Sequence, residues 1–218
     1  MKKAASKLKT QKNQTKSALS RLEKWLPWIL VIGGVIGILA SAAITIEKFE
    51  LLKNPGSTFI CDLNPVISCG SVMQTPQAEA FGFMNPLIGL IGFPVLVAVG
   101  MALFAGATFR RWFWITMEIG LSLGMIFAYW LLYQSIYNIG ALCPYCLSVD
   151  IVLTTMWWYV TLHLFGKGYL RLPSKLQKLG NFSRRHHLDI LIFWFLLMIG
   201  LILQHFWYYF GPHLFHIS

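Results

Sequence analysis

Cys143-Pro144-Tyr145-Cys146 leads into the run PYCLSVDIVLTTMWWYVTLHLF, residues 144 to 165, and this stretch decides the fold. It is apolar for long enough to carry a helix across a hydrocarbon core of about 30 Å, with a single acid, Asp150, inside it. A dithiol therefore stands at the mouth of a membrane span. The C-x-x-C spacing recurs in redox chemistry, because thiols one turn apart at a helix start can close a disulfide and the helix N-terminus favours the thiolate. Upstream, Cys61 and Cys69 form a second pair with seven residues between them, a candidate relay for the first. Thiols held at a membrane surface point to electron transfer between thiols and a molecule dissolved in the lipid.

Four further apolar runs extend the same pattern, at roughly 25–46, 86–108, 113–137 and 188–208. Hydrophobic residues make up 56% of the chain and charged residues 12%, with a mean hydropathy of +0.61, which excludes an ordinary soluble domain. The expected architecture is an all-α integral membrane protein with five transmembrane helices. Residues 1–24 form a basic arm, 25–165 hold four helices and the outer loop 47–85, 166–187 form a basic loop, and 188–218 hold a fifth helix and a short tail. The chemistry is expected in the bundle and in loop 47–85.

A net charge of +10 raises the question of nucleic acid, but the basic residues sort by side of the membrane. Lys2, Lys3, Lys7, Lys9, Lys12, Lys16, Arg21 and Lys24 precede the first span. Arg110 and Arg111 join the second and third, and Lys167, Arg171, Lys175, Lys178, Arg184 and Arg185 join the fourth and fifth. Lys48 and Lys53 alone fall on the other face. The positive-inside rule then puts the N-terminus in the cytoplasm, and both cysteine pairs and the C-terminus outside, in the periplasm of a bacterial cell. That face is the oxidising compartment. The partner implied by the basic arm is membrane lipid and no nucleic acid, and its Lys, Ser and Gln content reads as a solvated, disordered segment.

Ala40-Ser41-Ala42 resembles a signal-peptide cleavage site, but the apolar run continues through Ile44 and Ile46, which favours a span. Gly33, Gly37 and Ser41, and likewise Gly120 and Gly124, have the four-residue spacing of close helix contacts in lipid. His186, His187, His205, His213 and His216 read as interfacial residues, and no metal site is expected. Glu118, near the inner end of its span, is expected to pair with Arg110 or Arg111 or to snorkel.

Three motifs in order carry a family resemblance: Cys61-Asp-Leu-Asn-Pro-Val-Ile-Ser-Cys69 with Thr75 behind it, Phe83-Met-Asn85-Pro-Leu-Ile-Gly89, and Cys143-Pro-Tyr-Cys146. Over roughly 25–165 the chain resembles the vitamin K epoxide reductase (VKOR) family in its bacterial disulfide-forming branch. The resemblance implies a four-helix bundle around a quinone and a thiol:quinone oxidoreductase that generates disulfides in an exported thioredoxin-like protein. It implies that Cys61 takes the attack of the partner's thiolate, Cys69 attacks a Cys143–Cys146 disulfide at Cys143, and Cys146 faces the quinone. Asn85 matches the family residue that hydrogen-bonds the quinone carbonyl, and Thr75 a hydroxyl residue that steadies the loop or a thiolate. Many such proteins carry the thioredoxin-like domain after a fifth helix. This sequence ends at Ser218, so the expected partner is a separate protein.

Two positions depart from the pattern. Met84 stands where many bacterial members have proline, and Asp150 stands where some place a quinone-bonding tyrosine. An acid within a span is a functional candidate, here for the quinone, with a structural pairing to Ser or backbone as the alternative. Four cysteines can also bind zinc, but structural sites use two short knuckles, and the seven-residue spacing departs from them. A small transporter or scaffold with inert disulfides, and vitamin K epoxide reduction within the family, are the other readings. Ubiquinone and menaquinone remain equal choices.

Overall fold

The structure is a computed structural model that describes residues 2–54, 61–169, 180, 182–207 and 209, with side chains described from residue 23 onward. Its helices are α1 (Lys2–Lys53), α2 (Cys69–Met73), α3 (Pro86–Phe104), α4 (Arg111–Gln134), α5 (Pro144–Lys167) and α6 (His187–His205). Five stretches among the described residues are long and apolar enough to cross a membrane: Glu23–Lys53, Pro86–Phe104, Arg111–Ile139, Pro144–Lys167 and His187–His205. The five expected spans are all present, and the chain is a multi-pass, all-α membrane protein. Residues 55–60, Arg171, Lys175, Lys178, His213 and His216 lie outside the described residues.

α1 is longer than its apolar run at both ends. It starts at Lys2, so the arm expected to be disordered continues the helix, in keeping with its Ala, Leu, Lys and Gln, which are good helix formers. At the other end it runs past Ile46 to Lys53, so Glu47 and Lys48, expected in the outer loop, stand on its last turns. Buried Ile44 and Leu51 hold those turns against the cysteines.

Close backbone approach sets the packing of α1. A Cβ on Gly37 would lie 2.5 Å from the ring of Phe93 in α3, and one on Gly89 would collide with Ser41 Oγ. Small residues let helices approach this closely in lipid, where van der Waals contact drives association. On its other side Gly33 faces Met156 of α5, the nearest atom 3.2 Å from a notional Cβ. The Gly33, Gly37, Ser41 stripe is thus a packing seam. Gly120 and Gly124 are not: among the described residues nothing approaches Gly120, and Gly124 has only ordinary contact with Leu153. Leu30, Met156, Val160, Leu162 and Leu164 are fully buried in this core.

α6 lies against α4, α5 and the cysteine loop. Trp194 Nε1 donates to Tyr129 Oη at 2.6 Å, Tyr129 Oη shares a hydrogen bond with Thr154 Oγ1 at 2.9 Å, and Met198 packs with Val66, Leu132 and Leu142. Glu118 turns inward, not toward Arg110 or Arg111. Its Oε1 accepts from Thr161 on α5, and its Oε2 is buried with no hydrogen-bond partner among the described residues. The inward rotation puts the carboxyl on the α4–α5 seam, out of reach of snorkelling.

Two features bring distant residues to one end. After Gln134, α4 widens into a π-turn (Ser135–Ile139) that ends at Gly140, whose φ of 72° lies in the left-handed region glycine adopts without strain. Ser135 Oγ donates to the Ala141 carbonyl at 2.7 Å, and the extended chain beyond pairs with the cysteine loop through a parallel bridge between Ile67 and Leu142.

Candidate functional site

That bridge is what brings the two cysteine pairs together. Leu142 N–H donates to the Val66 carbonyl at 2.7 Å, and Ser68 N–H to the Leu142 carbonyl at 3.0 Å. Each bond anchors the residue beside a cysteine: Ser68 precedes Cys69, and Leu142 precedes Cys143. The loop is also braced from within. Asp62 Oδ1 accepts from Ser68 Oγ at 2.9 Å and from Gly70 N–H at 3.0 Å, while Asn64 Oδ1 accepts from Val66 N–H at 3.0 Å and Ile67 N–H at 2.7 Å. Ser68 caps α2, its Oγ accepting from Ser71 N–H, so Cys69 stands at the first position of a helix.

Cys61 and Cys69 form a disulfide, with Cα atoms 5.7 Å apart, and Cys143 and Cys146 are free thiols. Cys143 Sγ lies 3.4 Å from Cys69 Sγ, so a thiol of the second pair touches the disulfide of the first. That is the separation at which reacting atoms stand in a near-attack arrangement. Cys143 is the N-cap of α5, with Pro144 at the first helical position, and its sulfur accepts from Cys146 N–H at 3.5 Å. A hydrogen bond from the Cys146 thiol holds the Cys143 thiol below its ordinary range, while burial opposes the shift.

Beside the thiols is a cavity of about 460 Å³, walled by α1, α3, α4 and α5 and roofed by the segment from α2 to α3. Cys146 and Asp150 share one wall, one turn apart on α5, and Asp150 is buried. Asn85 and Thr75 are at the roof. Asn85 Nδ2 donates to the Gln77 carbonyl at 2.7 Å and its Oδ1 accepts from Ala80 N–H at 3.1 Å. These bonds bind the roof's 3₁₀ turn (Pro76–Glu79) to the start of α3. Thr75 Oγ1 donates to the Val72 carbonyl at 2.8 Å, a bond within the loop. Met84 also lines the cavity.

The volume is typical of small-molecule pockets, and the walls are apolar with a few polar groups gathered at the cysteine end. This lining suits a lipid-soluble quinone. Asn85 keeps a second amide hydrogen that neither of its two bonds uses. Cys146, Asp150 and Asn85 are the residues here that would hold such a ring.

Two residues of this end escaped the sequence reading. Lys48, buried among apolar groups, donates to the Met73 carbonyl at 2.6 Å and pairs with Glu79 at 3.0 Å, clasping the roof to α1. Glu47 Oε2 lies 3.1 Å from Cys61 Sγ. Both sit in IEKFELLK, where the end of the apolar run masks the continuing helix; only the helix-forming composition past Ile46 signals it. Glu47 and the sulfurs of Cys61 and Cys69 lie within 4.8 Å of one another, but both sulfurs are already joined in the disulfide.

A family model described as the vitamin K epoxide reductase family matches residues 28–161, more than half of the chain. A search of curated proteins finds no match.

Proposed function

From this chain's membership of the vitamin K epoxide reductase family, whose members are membrane oxidoreductases acting on quinones and thiols, we propose that it oxidises an exported thioredoxin-like protein and passes the electrons to a membrane quinone. The 3.4 Å contact between Cys143 Sγ and Cys69 Sγ carries this reading, because it links a disulfide at the loop to a thiol pair at the cavity.

The exchange runs by successive thiolate attack. The partner's thiolate attacks Cys61 Sγ, the Cys61–Cys69 bond breaks, and the electron pair leaves on Cys69. Cys69 then attacks Cys143 Sγ of an oxidised Cys143–Cys146 pair, and the electron pair leaves on Cys146 at the cavity wall. A quinone, when bound, supplies the acceptor for two electrons and two protons. Asn85 donates a hydrogen bond at the cavity's thiol end, where an amide in a low-dielectric site stabilises negative charge that develops on an oxygen. Asp150 lies one turn beyond Cys146 on the cavity wall, a position from which a protonated carboxyl group serves as general acid. The bacterial branch and a plasma-membrane location belong to this proposal, as does the orientation that puts both cysteine pairs outside.

Two experiments test it. Purified full-length protein with dithiothreitol and a short-chain quinone should reduce the quinone; a transporter or scaffold with inert disulfides gives no turnover. For orientation, single cysteines at Ala80 and Thr108, in a background without native cysteines, should be labelled from outside at 80 and spared at 108. The reverse pattern overturns the assigned compartment.

A further inference from the structure

We propose that Glu47 is a further catalytic residue, carrying the proton on and off Cys61 Sγ as that sulfur changes partners. The inference rests on the reading of Cys61 as the cysteine that meets the partner. It starts from the unexpected length of α1, which puts Glu47 on a helix turn facing the cysteine loop. Its Oε2 stands 3.1 Å from Cys61 Sγ, and Cys61 is 5% exposed. A disulfide sulfur carries no hydrogen, so this contact becomes a hydrogen bond only when the proton is on Glu47.

The neighbouring charges have other tasks. Asp62 is occupied by Ser68 Oγ and Gly70 N–H, and Lys48 is turned to Met73 and Glu79. Asp62 from the loop, and Cys143 and Tyr145 from the start of α5, are the groups within electrostatic reach of Glu47. Glu50 lies one turn away on α1 itself.

The proton moves twice in each cycle. When the partner's second thiolate attacks the partner's own sulfur in its mixed disulfide with Cys61, that S–S bond breaks and the electron pair falls to Cys61 Sγ. Glu47 delivers its proton there. Cys61 next attacks Cys69 Sγ of the Cys69–Cys143 disulfide, forming Cys61–Cys69 and releasing the electron pair on Cys143, while its proton returns to Glu47. The balance is closed, with no other reactant required. The product of this step is the arrangement seen: a Cys61–Cys69 disulfide against a carboxyl oxygen, and a free Cys143 beside Cys69.

The test is the alkylation rate of Cys61 by iodoacetamide in fully reduced, full-length protein, followed by mass spectrometry across pH. The parent should show two inflections, one from the carboxyl and one from the thiol. Glu47→Gln should show the thiol inflection alone and react about tenfold more slowly near neutral pH, at or below the low end of general-base effects. Glu47→Asp should keep both inflections at a reduced rate. A parent profile with one inflection overturns the proposal, as does a Glu47→Gln profile that matches the parent or is lowered by one factor at every pH. Because alkylation needs neither quinone nor partner, it decides on Glu47 even if dithiothreitol-to-quinone turnover of the parent is absent, a failure that would count against the proposed function instead.

Discussion

The two cysteine pairs reach the same few ångströms by different means. Cys143 and Cys146 are placed by local structure: a helix start, a proline at its first position and a backbone N–H aimed at the first sulfur. Cys61 and Cys69 are placed by contacts from elsewhere in the chain, namely the Ile67–Leu142 bridge, the late turns of α1 and the Asp62 bonds. The difference teaches that the second pair is a fixed receiver and the first a braced arm. A change of covalent chemistry should disable either, but a change of bracing should disable only the transfer between them.

The largest effect should come from removing the sulfur that both pairs share at their contact. Cys69→Ala leaves Cys61 without a resolving thiol, so the partner should accumulate as a mixed disulfide on Cys61 and turnover should fall by about a thousandfold or more. Non-reducing gel electrophoresis reads the adduct directly. Cys146→Ala should instead abolish quinone reduction even with dithiothreitol as the donor. If that variant still reduces quinone, the cavity-side role belongs to another residue and the two-pair comparison breaks.

Next in size is the acid of the fixed pair's own helix. Asp150 lines the cavity one turn beyond Cys146. If it donates from its protonated form, Asp150→Asn should keep quinone binding, since the amide still donates, and slow turnover about a hundredfold. Asp150→Leu should impair both. Folded variants that turn over like the parent would make Asp150 structural and leave Asn85 as the polar group at the ring.

The same contrast explains what the sequence made legible. The five spans and the dithiol at Cys143 and Cys146 follow from local pattern, since length, hydropathy and a C-x-x-C before a span are read over one window. The Gly33, Gly37, Ser41 seam was legible for the same reason. The placement of Cys69 against Cys143 was available only through the resemblance, because a single bridge between residues 67 and 142 leaves no periodic trace. Glu47 and Lys48 were missed where hydropathy falls but helix propensity does not. Glu118 reads from the sequence as paired with Arg110 or Arg111 or as snorkelling, whereas the rotation of α4 turns it to Thr161.

Weakening the brace should have a smaller and more specific effect. Leu142→Pro removes the N–H that donates to the Val66 carbonyl, a bond worth about 1 kcal/mol, and proline cannot replace it. In a Cys61→Ala, Cys146→Ala background, Cys69 and Cys143 are left to oxidise with each other. Adding Leu142→Pro should slow formation of that disulfide about fivefold, as a bond of this size implies. An unchanged rate would mean that the bridge accompanies the contact but does not hold it.

The smallest effect concerns acidity within the fixed pair. The hydrogen bond from the Cys146 thiol favours the Cys143 thiolate, with the backbone N–H groups of Cys146 and Tyr145 assisting against burial. The folded pKa of Cys143 is therefore depressed relative to the unfolded chain. The stability this contributes is fully present above the unfolded thiol's pKa and is lost as pH falls through the folded value. With Cys61 and Cys69 held as a disulfide, thiolate ultraviolet absorbance should therefore begin to rise at lower pH than for an ordinary thiol. Cys146→Ala removes the donor but leaves most of the burial, so its remaining thiol should titrate at higher pH than the first thiol of the parent. A titration in Cys146→Ala that is unmoved or shifted downward would show that the helix start alone activates Cys143, and that Cys146 contributes only as the cavity-side sulfur.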